Sequence, residues 1–221
     1  MKKLILFGIA LAGFTSAQAQ NRTIRAEVGL NVSTTMTLTD QGANIVPTPL
    51  LAPRIGATIE YDLSHKYKLG GLLNTYFAPG VYYKTSGFDI KSTSQKQKIN
   101  AQLSSGSLKI DYLSVPLNVG TRIPLSKSAS LSLEFGPTLG YALSAKYKIG
   151  DYTIDMLSSG SNVNRFELGW GSSLAIEFNN KFYIRSTVEN ALTNFSSTTE
   201  SDGSEVSRRN SNVSFSVGYR F

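Results

Sequence analysis

Asn212-Val213-Ser214-Phe215-Ser216-Val217-Gly218-Tyr219-Arg220-Phe221 decides the fold. Every second residue (Val213, Phe215, Val217, Tyr219, Phe221) is apolar, and those between are small or polar. Side chains alternate across a strand, so the stretch predicts a strand with one apolar and one wet face. Its ten residues match a tilted strand crossing a bilayer. A soluble sheet can use the same alternation, so the rest of the chain has to decide.

Working back from it, the alternation recurs seven times. Strands are expected near Ile24–Ser33, Leu51–Tyr61, Tyr67–Tyr83, Leu108–Ile123, Leu131–Leu143, Arg165–Phe178 and Phe182–Glu189. Polar connections near 34–49, 84–107, 148–163 and 194–211 are long. Those at 62–66, 124–128 and 179–181 are short. Eight strands with alternating long and short connections are the pattern of an outer-membrane barrel, with long loops outside the cell and short turns in the periplasm. A soluble sandwich has no reason to alternate so regularly. The expected fold class is therefore all-β: an eight-stranded antiparallel up-and-down transmembrane β-barrel.

The address agrees. Lys2 and Lys3 precede an apolar run from Leu4 to Phe14, and Ala17-Gln18-Ala19 is a small-x-small cleavage pattern. Residues 1–19 read as a signal peptide cleaved after Ala19, and 20–221 as the barrel domain. No segment approaches the apolar length of a membrane-spanning helix. With no cysteine, the chain is not a disulfide scaffold. The net charge of +7 falls to +5 without Lys2 and Lys3. In an exported protein that points to an anionic surface rather than to nucleic acid.

Aromatic residues fall near both ends of the strands. Tyr61, Tyr67, Phe178, Phe182 and Phe221 lie by the short turns, and Tyr82, Tyr83, Tyr147, Phe166 and Phe195 by the long loops. They predict two interfacial girdles. By parity, Arg25, Arg54, Arg122, Arg165, Arg185 and Arg220 share the polar face with Glu27, Glu60, Glu134, Glu167, Glu177 and Glu189. An eight-stranded barrel is just wide enough for side chains, so these charges are expected to pair and to plug the interior.

Tyr112-Leu113-Ser114-Val115-Pro116-Leu117 resembles the "YLxIPL" strand of the PorT-like outer-membrane β-barrel family of Bacteroidota. Phe135-Gly136-Pro137-Thr138-Leu139-Gly140-Tyr141 and Phe166-Glu167-Leu168-Gly169-Trp170-Gly171 resemble that family's next two strands. The resemblance covers essentially the whole mature chain. It implies a Gram-negative outer-membrane barrel of the small porin family type, with no catalytic residue, and for the founding member a link to protein secretion. It also implies that Val213, Phe215, Val217, Tyr219 and Phe221 form the signal read by the barrel-insertion machinery.

Chemistry is scarce. The one histidine, His65, falls in a short turn away from surface substrates and is expected to be solvated. Asp151 and Asp155 lack an EF-hand spacing, and no phosphate-binding glycine loop is present. No enzyme activity, cofactor or metal is expected. Lys84, Lys91, Lys96 and Lys98 in the second long connection, opposed only by Asp89, form a candidate anion-binding loop facing lipopolysaccharide. The expected function is a monomeric, non-enzymatic surface or envelope protein whose loops or turns engage a protein partner. The alternatives are a narrow channel for small or hydrophobic solutes and a soluble periplasmic lipocalin-like binder.

Overall fold

The computed structural model describes residues 22–38, 48–63, 74–91, 105–158, 163–199 and 205–221. Ten strands are described: β1 (Arg22–Leu38), β2 (Thr48–Asp62), β3 (Asn74–Lys91), β4 (Ser105–Pro124), β5 (Ala129–Ile149), β6 (Tyr152–Asp155), β7 (Phe166–Phe178), β8 (Phe182–Ala191), β9 (Ser196–Thr199) and β10 (Glu205–Arg220). Eight of them form one antiparallel wall in the order β1-β2-β3-β4-β5-β7-β8-β10, closed by pairing of β10 with β1. Closure leaves no free edge, so the ladder satisfies the wall's backbone groups without water. The short β6 and β9 extend β5 and β10 at the end that carries the long connections.

The wall is built inside out. Its outer face exposes Val28, Leu30, Leu51, Phe135, Leu139, Ile184, Phe215 and Val217. The buried set is dominated by Arg, Glu, Asn, Ser and Thr. Water would reverse this distribution, whereas a hydrocarbon surround demands it.

At the short-turn end, Asn179 and Asn180 have φ of 51° and 55°. Lys181 N donates to Phe178 O at 3.0 Å. Two central residues with positive φ are what a type I′ hairpin requires, and asparagine tolerates that conformation. Tyr61 stacks on Phe77, while Phe182, Tyr219 and Phe221 meet edge to face with centroids 5.0 Å apart at each contact.

The strands run further than the alternation suggested. β4 and β5 contain 20 and 21 residues, about twice what a tilted strand needs to cross a bilayer. Lys84–Lys91, expected in a connection, belongs to β3 and pairs with β4. On the opposite side Asp62 pairs with Tyr76; β3 is described from Asn74, and the expected start at Tyr67 lies outside the described residues. Residues 64–73, including His65, and the leader lie outside the described residues.

The outer girdle is also narrower than expected. Tyr141 and Phe166 meet on the outer face at 5.1 Å. Tyr82 is instead buried in the lumen, and Phe195 and Tyr147 belong to an internal apolar cluster. Parity explains Tyr82, because the even residues of β3 point inward.

Candidate functional site

The lumen holds the buried charged side chains, carried by the inward residues of all eight wall strands. Arg122 of β4 joins two carboxylates near the short-turn end. Its Nη2 lies 2.9 Å from Glu60 Oε1, and its Nε lies 2.8 Å from Glu177 Oε2. Arg220 approaches Glu60 Oε2 at 3.1 Å from the last strand.

Glu134 of β5 is the centre of the next layer. It accepts from Arg25 at 2.7 Å, from Arg185 at 3.1 and 3.2 Å, and from the Tyr76 hydroxyl at 2.9 Å. Arg25 reaches on to Glu60, linking this layer to the one below. Glu27 pairs with Arg54 at 2.6 Å and accepts from the Tyr183 hydroxyl at 3.1 Å.

Towards the loop end Lys84 Nζ lies 3.0 Å from Glu189 and 4.0 Å from Glu167. Asn210 donates to Glu167 at 2.6 Å and to the Tyr112 hydroxyl at 3.1 Å. An amide and hydroxyl layer follows, in which Asn31 donates to Asn212, and Ser86 and Ser214 donate to Asn212 and Asn31. Phe88, Leu108, Ile110, Ala142, Ala145 and Phe195 close the stack as a buried apolar cluster.

Tyrosine rings fill what the charges leave. Tyr76 and Tyr183 lie against Gly120 and Gly218, their direct partners on the neighbouring strands. A Cβ at either glycine would come within 2.5 and 2.1 Å of a ring atom, respectively. Both positions therefore exclude a side chain, and the glycine face doubles as a seat for the ring. Arg54 covers Tyr82 at 4.0 Å, Arg122 covers Tyr76 at 4.9 Å, and Arg185 covers Tyr183 at 5.2 Å. The cavity between Arg54, Tyr82, Asn118, Arg185 and Thr187 measures about 10 Å³, the room of a single water.

Arg25, Glu27, Arg54, Glu60, Arg122, Glu134, Glu167, Glu177, Arg185, Glu189 and Arg220 all enter the lumen network. Arg165 does not. It lies before β7, is exposed, and donates to the Leu157 carbonyl at 3.0 Å. Parity carries an inward residue only as far as the ladder runs, and β7 starts one residue later.

Lys84 corrects the expected anion-binding loop. It is 1% exposed and paired with lumen glutamates, so it does not reach an outside anion. It takes the place expected of Arg165, keeping six cations against six carboxylates in the network. The Lys91 side chain, Lys96 and Lys98 lie outside the described residues. Val213, Phe215, Val217, Tyr219 and Phe221 share one face of the last strand, with Phe215, Val217 and Phe221 exposed. The alternation of Phe77, Pro79, Val81 and Tyr83 with Tyr76, Ala78, Gly80, Tyr82 and Lys84 was the signal for the missed interior groups.

Among the described residues no cluster of acidic or histidine side chains is arranged to hold a metal ion.

A closed antiparallel barrel with an apolar outside and an ion-paired inside defines an outer-membrane β-barrel protein. The chain belongs to the outer membrane protein beta-barrel domain family, whose description matches residues 17–197. No curated protein matches it. Among solved structures it is similar to the outer membrane protein OprG from Pseudomonas aeruginosa, at 12% identity, with 91% of this chain and 96% of that chain covered and a TM-score of 0.47. It is also similar to Neisserial surface protein A, at 8% identity over 90% of this chain and 97% of that chain, with a TM-score of 0.45. For Ail, the attachment invasion locus protein of Yersinia pestis, the values are 12% identity, 92% and 100% coverage, and a TM-score of 0.38.

Proposed function

We propose that this outer-membrane barrel is a sealed, non-enzymatic envelope protein, engaging a protein partner through its loop end or its short turns. The observation that carries the reading is the packed lumen. Paired charges, tyrosines and an apolar cap occupy the space a solute would need. What remains for function is the two ends. The motifs around Tyr112, Phe135 and Phe166 support placing the chain with the PorT-like members, and with them a link to protein secretion. In the same reading residues 1–19 are a leader cleaved after Ala19. The outward face from Val213 to Phe221 is the signal for insertion.

The chain has no cysteine, so a single one can be introduced at each end to carry a photo-cross-linker. Tyr152→Cys, at a residue 80% exposed near the loops, and Lys127→Cys in a short turn sample the two ends in living cells. One reproducible envelope-protein adduct from either site is expected. Clean monomer at both sites would contradict the reading.

The rival reading, a narrow channel for small or hydrophobic solutes, requires the buried apolar cluster around Phe88, Ile110 and Phe195 at the loop end of the lumen to part. Electrical recording separates the two readings.

A further inference from the structure

A bulge in β5 re-aims two lysines. From Ser130 to Ala142 the even-numbered residues of β5 face the lumen and are buried. The pairing then slips between Tyr112↔Ala142 and Asp111↔Ser144, leaving Leu143 as the extra residue. Parity inverts beyond it. Ala145 is buried inside, whereas Lys146 and Lys148 are exposed on the outer face. A straight ladder would have driven both lysines into the lumen.

The slip sets Lys146 directly opposite Lys109 of β4, itself exposed, and sets Lys148 opposite Ser107. Directly opposed side chains have Cβ atoms about 5 Å apart, and like charges there repel. Neighbouring carboxylates offset this repulsion only in part, because none of them closes on a lysine. Asp111, one row below, accepts from the Thr85 and Ser144 hydroxyls at 2.7 and 2.8 Å. Asp155 stands directly opposite Lys146 on β6, where its carboxylate is turned to accept from Leu157 N at 2.9 Å. Asp89 stands beyond Ser107 on β3. Among the described residues none of these carboxylates forms an ion pair with Lys109, Lys146 or Lys148.

Height on the wall supplies the missing partner. Leu113, Tyr141 and Phe166 are exposed on the outer face just below, and the two aromatic rings touch as interfacial girdle residues do. The lysines follow within a few residues on the loop side, and beyond an interfacial girdle a barrel wall passes the headgroups.

We propose that Lys109, Lys146 and Lys148 form an outward-facing site for the phosphate groups of a phosphorylated glycolipid in the outer leaflet. An ammonium is a compact charge with three donors, so a phosphate set between two of them relieves their repulsion and gains hydrogen bonds. The site depends on the outer-membrane placement alone and stands apart from the partner proposed above.

Native mass spectrometry of the full barrel in detergent, mixed with bisphosphorylated lipid A, reads the complex directly. Lys109→Ser/Lys146→Ser is compared with Lys127→Ser/Lys181→Ser at the opposite end, each checked for folding by boiled and unboiled gel mobility. A lipid A adduct is expected on the natural chain and on the second variant. It should weaken about thirtyfold on the first, given about one kcal/mol per surface lysine at an anionic leaflet. Dephosphorylated lipid A and phosphatidylglycerol should give little adduct. No adduct on the natural chain, an undiminished one on Lys109→Ser/Lys146→Ser, or an equal one with either control lipid overturns the proposal.

Discussion

Lys84 is 1% exposed and held 3.0 Å from Glu189, and its environment sets the cost of removing it. Lys84→Met leaves Glu189 buried without its cation, a situation that costs about 3–5 kcal/mol. Urea titration of the protein refolded into vesicles should show that loss, and Lys84→Met/Glu189→Gln should recover part of it. A single variant as stable as the natural chain would mean that the pair contributes nothing. Gly218 is constrained by sterics. A Cβ there meets the Tyr183 ring at 2.1 Å, pushing the hydroxyl away from Glu27. Gly218→Ala should cost about 1–3 kcal/mol in the same titration, and trimming the ring with Tyr183→Leu in the same chain should shrink that penalty.

At the scale of the element, alternation made most of the fold legible. In β10 and β1 the apolar residues sit outside and the polar ones inside, as their parity requires, because a strand buried on one side by lipid and on the other by packed charge keeps strict period two. Strand ends were not legible. Past the hydrocarbon both faces of a hairpin meet polar surroundings, so the apolar signal fades while the hydrogen-bonded ladder of β3, β4 and β5 continues. For this reason Lys84 read as a loop residue and Arg165 as an inward one. The bulge at Leu143 was hidden for a related reason: one extra residue inverts parity without leaving a composition mark. The lipid-facing side of β10 offers a direct test. Phe215 is 58% exposed on that face. Phe215→Arg should lower stability in vesicles by about 2–4 kcal/mol, whereas Ser216→Thr, facing in, should change it far less. Equal tolerance of both would place the hydrocarbon elsewhere.

For the whole molecule, closure and filling act together. The β1–β10 pairing removes the sheet edge, and an eight-stranded circumference leaves an interior that side chains can occupy completely. The Glu27–Arg54, Glu134–Arg25 and Glu189–Lys84 pairs then block the passage at successive heights. Electrical recording across a planar bilayer containing the purified full barrel measures this most directly. A closed trace is expected for the natural chain, without discrete openings at any applied voltage. Steady single-channel steps from the natural protein would contradict it and would make the lumen a conduit.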